Sequence, residues 1–303
     1  MMNRRDFTQK SLLAGAAAQF FSSNLDAQSP EGNTENGPPA RREICAFIKF
    51  VQSLPYDELG KSMIKAGFDG VEATIRKGGI IEPEAVADEL PKLAATLAEH
   101  GCKITLMATD INRADHALTE KVLRAAADVG VKRYRTAYYT YDLAKSIRPQ
   151  LANFHSTAKD LAALNKSLGL TGVYQNHAGA KNAGASIWDL DEFLADIDPD
   201  DLGVAFDIRH ATAEGGTTWP LLWKLISPRV RTIYVKDLVW KDRQPHNVPL
   251  GEGLVSPKFA QQIKSSPVDI PVSVHVEYLE KDGIEENVAA LRNDRATLER
   301  WLR

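Results

Sequence analysis

The sequence predicts a (β/α)8 barrel, on three observations. Short apolar runs alternate with amphipathic segments eight times between about residue 44 and the C-terminus. Four runs of the second half, residues 172–177, 203–210, 232–237 and 273–278, are β-branched or aromatic and end on groups able to hold a proton, a metal or a sugar hydroxyl. The stretch after the first run, Lys49-Phe50-Val51-Gln52-Ser53-Leu54-Pro55, lacks the glycines with which an open doubly wound sheet cradles a phosphate.

Strand side chains alternate between two faces. In the last run Val274, Val276 and Tyr278 therefore share one face, and Ser273, His275 and Glu277 the other. In the second of the four, Val204 and Phe206 oppose Gly203, Ala205 and Asp207. Apolar outside and small-then-polar inside is what a parallel barrel wrapped in helices requires, with chemistry gathered at its C-terminal rim.

The elements follow in order. Residues 44–51 form the first run and 56–67 the first amphipathic segment, closed by Gly67. A second strand over 70–75 leads to a helix over about 83–100, closed by Gly101. The third strand spans 103–109 and its helix 116–129, stopped at Gly130. A glycine just past a helix end tolerates the positive φ of a C-cap. Residues 131–137 are the fourth strand, and a long helix over about 147–168 follows. The four polar-ended runs are strands five to eight, separated by helical stretches near 188–196, 218–227 and 256–264, and a helix over about 284–302 closes the chain.

With 303 residues the chain can bury one large core, so residues 43–303 are taken as the barrel. Charged residues make up 25% and the net charge is -3, without the basic excess of a nucleic-acid groove. No run of about twenty apolar residues occurs, so no internal membrane span is expected. Arg4-Arg5-Asp6-Phe7 and the alanine-rich stretch after Ser11 resemble a twin-arginine (Tat) export signal over residues 1–27. The expected partner is then the Tat machinery and the location periplasmic. Residues 28–42, rich in Ser, Pro, Gly, Asn and Glu, read as a flexible linker. Cys45 and Cys102 lie in apolar strand-like runs and are expected as buried thiols.

By parity the inward residues near the rim are Lys49, Glu72, Met107 or Thr109, Arg135, Gln175 with His177, Asp207, Lys236 and Glu277. A purely structural barrel would fill these places with branched apolar layers. Candidates to hold substrate are Lys49, Glu72, Arg135, Gln175, Asn176 and Trp240, the last by stacking on a sugar face. The segment 248–253, with two glycines, is expected to cover a ligand as a lid. His100, His116, His155 and His246 fall on helices or loops and are given no catalytic part.

Gly67-Phe68-Asp69-Gly70-Val71-Glu72, Tyr174-Gln175-Asn176-His177, Phe206-Asp207-Ile208-Arg209-His210-Ala211, Tyr234-Val235-Lys236-Asp237 and His275-Val276-Glu277 resemble the xylose isomerase-like TIM-barrel superfamily. That group holds sugar isomerases, ketose 3-epimerases, inosose dehydratases and an AP-endonuclease branch. The resemblance covers roughly residues 44–302. It implies a divalent metal held by Glu, Asp, His and Glu on strands five to eight. Position by position these fall on Gln175, Asp207, Tyr234 and Glu277, so an amide and a phenol replace two ligands. Lys236 shares a strand face with Tyr234, one step nearer the rim, where its ammonium can pair with both carboxylates in place of a cation. No cofactor is therefore favoured. The alternative is Mn, Zn or Co on a site rebuilt from Asp207, Glu277, His177 and His210.

The expected activity is that of an exported carbohydrate isomerase or epimerase, which removes a proton next to a carbonyl of a sugar or keto-sugar. Such chemistry needs a base, an electrophile for the developing enolate oxygen and a proton donor. Glu277 or Asp207 is the candidate base, Lys236 the stabiliser, and His177 or His210 the acid. A lyase or dehydratase acting on oxidised glycosides is the alternative, and a non-catalytic sugar-binding barrel a further one. A nuclease would need more histidine ligands and a basic DNA face.

Overall fold

The computed structural model describes residues 41–279 and 283–303. The twin-arginine segment and nearly all of the expected linker lie outside the described residues. Arg42, at the end of that linker, donates to the carbonyls of Ile263, Ser266, Pro267 and Ile270, which satisfies the C-terminal turn of the helix over 259–265.

Eight parallel strands close into a barrel. They are β1 (Ile44–Phe47), β2 (Gly70–Ile75), β3 (Lys103–Thr109), β4 (Arg133–Arg135), β5 (Thr171–Gln175), β6 (Leu202–Asp207), β7 (Val230–Val235) and β10 (Val272–Val274), with β10 pairing both β7 and β1. Around them lie α1 (Tyr56–Lys65), α2 (Val86–Glu99), α3 (Thr119–Asp128), α4 (Ile147–Leu168), α5 (Trp188–Phe193), α6 (Ile208–Gly215), α7 (Trp219–Ile226), α8 (Phe259–Ser265) and α9 (Ile284–Leu302). This is the TIM barrel expected from the alternation of elements.

Two separate cores follow from strand parity. Leu106, Val173, Ala205 and Tyr234 form a small cluster inside the barrel. Val204, Phe206, Ile233, Val235 and Val274 face the helices in the large outer core. Phe206 lies 4.9 Å from the Trp223 ring and 5.6 Å from that of Phe259, and is fully buried. Truncating such an aromatic costs about 3–5 kcal/mol. Met107 belongs to the outer core, so on β3 it is Leu106 that points inward. Thr109 donates its hydroxyl to the Arg135 carbonyl. Cys45 and Cys102 are free and buried.

Three local expectations change. The first strand ends at Phe47, and Lys49 stands in the turn after it. Residues 208–210, expected as the end of a strand, open α6 instead, because the Asp207 side chain accepts the His210 N–H as an N-cap. Residues 237–248 fold as an antiparallel hairpin of β8 (Asp237–Lys241) and β9 (Gln244–Val248) where a loop was expected. Its two turn residues, Asp242 and Arg243, have φ of 50° and 62°, which suits a tight hairpin turn but carries no glycine to announce it.

Candidate active site

Asp207 is held by its neighbours before any ligand arrives. Its Oδ1 caps α6, and its backbone is clasped by Asn176, which donates to Asp207 O at 3.0 Å and accepts from Asp207 N at 2.7 Å. Asn176 is thereby committed to the backbone behind the site. Gln175 Nε2 donates to Asp207 Oδ2 at 2.7 Å, and Lys236 Nζ stands 3.4 Å from that oxygen and 2.9 Å from Glu277 Oε2. β6, β7 and β10 are neighbours: β6 ends on Asp207, and the segments just past β7 and β10 present Lys236 and Glu277.

Burial opposes charge on Lys236 and Glu277. Pairing wins: Asp207 and Glu277 raise the Lys236 pKa, while Lys236, then His275 and Lys49, hold Glu277 well below the usual carboxylate range.

Two imidazoles flank the group. The His177 and His210 rings lie 3.9 Å apart. His177 Nδ1 lies 2.8 Å from the Ala178 carbonyl, which can only accept, and 3.3 Å from Asn182 Nδ2, which can only donate; the shorter contact assigns the proton to Nδ1. Its Nε2 then presents a lone pair, on a ring that lines the cavity. Burial and, next, the charge of Lys236 hold the His177 pKa below its ordinary 6.5. His210 accepts from Arg209 Nη1 at its Nδ1, 3.1 Å away, so its proton sits on Nε2, 3.6 Å from Asp207 Oδ2. Burial, followed by Lys236, pushes His210 well below 6.5, and both rings are neutral near pH 7.

A second charged group fills the barrel beneath. Glu72 is fully buried and accepts from Tyr234 Oη (2.9 Å), Ser273 Oγ (2.7 Å) and His275 Nε2 (3.0 Å), with Arg135 Nε at 3.6 Å. Burial alone would raise the Glu72 pKa, but His275, Arg135 and Ser273 together lower it. Arg135 also donates to Tyr138 Oη at 2.6 Å, and Tyr138 donates in turn to Gln175 Oε1.

The result is a cavity of about 180 Å³ whose walls include Lys49, Arg135, Gln175, His177, Lys236 and Glu277. Asp207 and His210 sit directly behind this wall and Glu72 below it. Trp240 is not part of the wall: it lies on β8, 50% exposed. Four lining residues escaped sequence reasoning, Phe47, Arg76, Tyr138 and His275. His275, on the inward face two residues deeper than Glu277, holds Glu72 and stacks on Phe47 at 4.5 Å. A larger hollow of about 410 Å³ lies by the ends of β2 and β3, but none of the residues around Lys236 reaches it.

The segment expected as a lid is pinned elsewhere. Asp237 accepts from the N–H groups of Leu238, Gly251, Gly253 and Val255 at 2.8 to 3.0 Å. A side chain on Gly253 would collide with Asp237 and the Leu238 carbonyl, and Gly251 has φ of +93°. The hairpin is tied to the site by Asn247, which accepts from Arg209 Nε and donates to the Glu277 carbonyl.

Among the described residues no three His, Cys, Asp or Glu side chains are grouped to hold a metal ion, and no helix is long and apolar enough to cross a membrane.

Known proteins share this architecture. The 3-keto-D-glucoside 4-epimerase of E. coli is similar with a TM-score of 0.66 and 13% identity, covering 86% of this chain and 100% of that one. The probable 3-DHS dehydratase of Bacillus anthracis gives 0.65 and 12%, covering 85% and 98%. A xylose isomerase-like TIM barrel protein of Mycobacterium smegmatis, in complex with magnesium, gives 0.60 and 14%, covering 86% and 98%. At these identities the likeness establishes the fold. No curated protein matches the sequence. The model of the xylose isomerase-like TIM barrel family matches residues 62–294, and the chain belongs to that family.

Proposed function

We propose that the protein is a carbohydrate isomerase or epimerase that removes the proton next to a carbonyl of a sugar or keto-sugar. One observation carries the reading: the Lys236 ammonium is clamped between Asp207 and Glu277, beside a neutral His177 whose Nε2 is free. Lys236 has three donors. Two point at carboxylates, and the third is available to a substrate oxygen. As the enolate forms, its oxygen gains charge next to a fixed ammonium, which lowers the barrel's barrier to proton loss.

The base is His177. Both carboxylates are tied to Lys236, and Glu277, held well below its usual range, is a weak base for a C–H bond. Glu277 instead accepts hydrogen bonds from substrate hydroxyls and holds the ring against Lys236. His210 supports His177 from behind, and Arg135 with Tyr138 fixes Gln175 on the far side.

The family relative from Mycobacterium smegmatis is in complex with magnesium. The donors here do not suit such an ion. Lys236 Nζ lies within ion-pair distance of both carboxylates, and Gln175 turns an N–H toward Asp207. A divalent cation would stand beside an ammonium, which repels it.

The N-terminal Arg4-Arg5 pair and its alanine-rich stretch support export by the twin-arginine route. Transit out of the cytoplasm favours unphosphorylated substrates. Fusing residues 1–42 to a reporter active only after export tests this; a reporter retained in the cytoplasm overturns it.

The enzyme reading is tested by NMR of a panel of keto-sugars with the purified protein in D2O. Deuterium should enter at the carbon beside the carbonyl, and exchange should fall by a factor of about 100 or more in His177→Gln. Undiminished exchange in that variant removes His177 as the base. Sugar binding without exchange or product would make the protein a binding barrel.

A further inference from the structure

The cavity carries more positive charge than its own acids balance. Lys49, Arg76, Arg135 and Lys236 line it, against Glu277 alone. Asp207 and Glu72 lie beneath, beside Lys236 and Arg135 respectively. Those contacts account for Lys236 and Arg135. Arg76 has no such partner. Among the described residues no carboxylate comes within ion-pair distance of it and no acceptor takes a hydrogen bond from it; its guanidinium stands 6.0 Å from the Phe47 ring centre. It is half-buried, and burial, then repulsion from Arg135, weakens its hold on its proton despite the more distant pull of Asp110 and Glu72. Lys49, exposed at the same opening, rests 4.6 Å over Phe50; among the described residues no carboxylate lies within ion-pair distance of it, and it acts on Glu277 only from farther off.

A partly desolvated guanidinium beside a second one is costly unless an anion completes it. Arg76 lines the cavity on the same wall as Lys49 and Arg135. A guanidinium's parallel N–H pairs match the two oxygens of a planar carboxylate. At about 180 Å³ the hollow is smaller than the roughly 300–1,000 Å³ of drug-sized sites, which suits one compact sugar unit.

We propose that the substrate is a sugar acid whose carboxylate is gripped by Arg76, with Lys49 beside it, while its carbonyl end meets Lys236. This rests on the reading that the same cavity performs proton abstraction.

Isothermal titration of the purified protein with a matched trio, a hexuronate, the neutral hexose and the hexose 6-phosphate, tests it. The hexuronate should bind at least about tenfold more tightly than the neutral hexose. Arg76→Met, which keeps the stem's packing, should abolish that advantage by weakening the hexuronate at least about tenfold more than the neutral hexose. Arg76→Lys, which keeps the charge but loses the fork, should retain only part of it. Equal affinity for acid and neutral sugar overturns the proposal. So does tightest binding of the phosphate, or an Arg76→Met variant that loses all three ligands alike. Deuterium exchange separates the two readings: exchange without preference for acids sinks this one alone, and preference for acids without exchange sinks the enzyme reading alone.

Discussion

Lys236 and Glu277 meet at 2.9 Å from adjacent strands, and their union sets the charge state of the whole rim. Burial opposes both charges; Asp207 and Glu277 together offset it for Lys236, and Lys236 is the largest charge that offsets it for Glu277. The pair is therefore both a fixed positive charge for the substrate and the reason Glu277 is a poor base.

Removing that ammonium should convert the rim into a metal site. In Lys236→Ala, Asp207 and Glu277 face each other with His177 and His210 close by, an arrangement that attracts Mn or Zn. Calorimetric titration should detect a divalent ion in the variant and none in the wild type. Proton exchange without added metal should fall by about 100- to 1,000-fold. A stoichiometric ion in the purified wild type would defeat the idea.

The pH profile should report His177. Burial and Lys236 lower its pKa, so the neutral, basic form persists below pH 6.5. Activity on kcat/KM should hold from pH 8 to near 6.5 and fail only as pH drops through the lowered value. A profile that already falls at pH 7 would point to another base.

Glu72 should matter to stability more than to binding. It is fully buried with four partners, and breaking such a group by removing one member costs about 3–5 kcal/mol. Its folded pKa lies below the ordinary 4.5, so its contribution is complete above that value and is lost as pH falls through the folded one. Glu72→Gln should lower the denaturant midpoint at pH 7 and flatten the acid limb of stability. An unchanged midpoint would contradict this account.

Asp294 should behave in the opposite sense. Burial is the main cause that pushes its pKa up to about 7, although it accepts from Leu250 N and Tyr278 Oη. A carboxyl raised above its unfolded 3.8 holds its proton in the fold, so stability declines as pH rises from about 4 to 7 and is level beyond. Asp294→Asn keeps the accepting oxygen and should stabilise the protein at pH 8 by on the order of 2 kcal/mol, with little effect at pH 4. Thermal melts at the two pH values decide it.

Strand parity was enough to bring Gln175, Asp207, Lys236 and Glu277 to one rim, because a period of two leaves a single choice once the apolar face is known. It erred on β3, where Leu106 rather than Met107 turns inward. Arg76 and Tyr138 stand just past strand ends, as Lys236 and Glu277 do, but in the first half of the chain, outside the four polar-ended runs. The β8–β9 hairpin was hidden because its turn is Asp242-Arg243, without a glycine. His210 continues an apolar strand-like run in the sequence, but the Asp207 cap opens a helix before it is reached.

The four N–H groups gathered by Asp237 have a consequence for how ligands arrive. The collar formed by residues 237–255 is assembled during folding, so its ordering entropy is spent before any sugar is met. Entry and departure across that side of the rim should then be limited by diffusion and by charge, with no hinge to wait for. Turnover would be paced by chemistry, and raising salt would slow capture of an anionic substrate more than it slows the reaction itself.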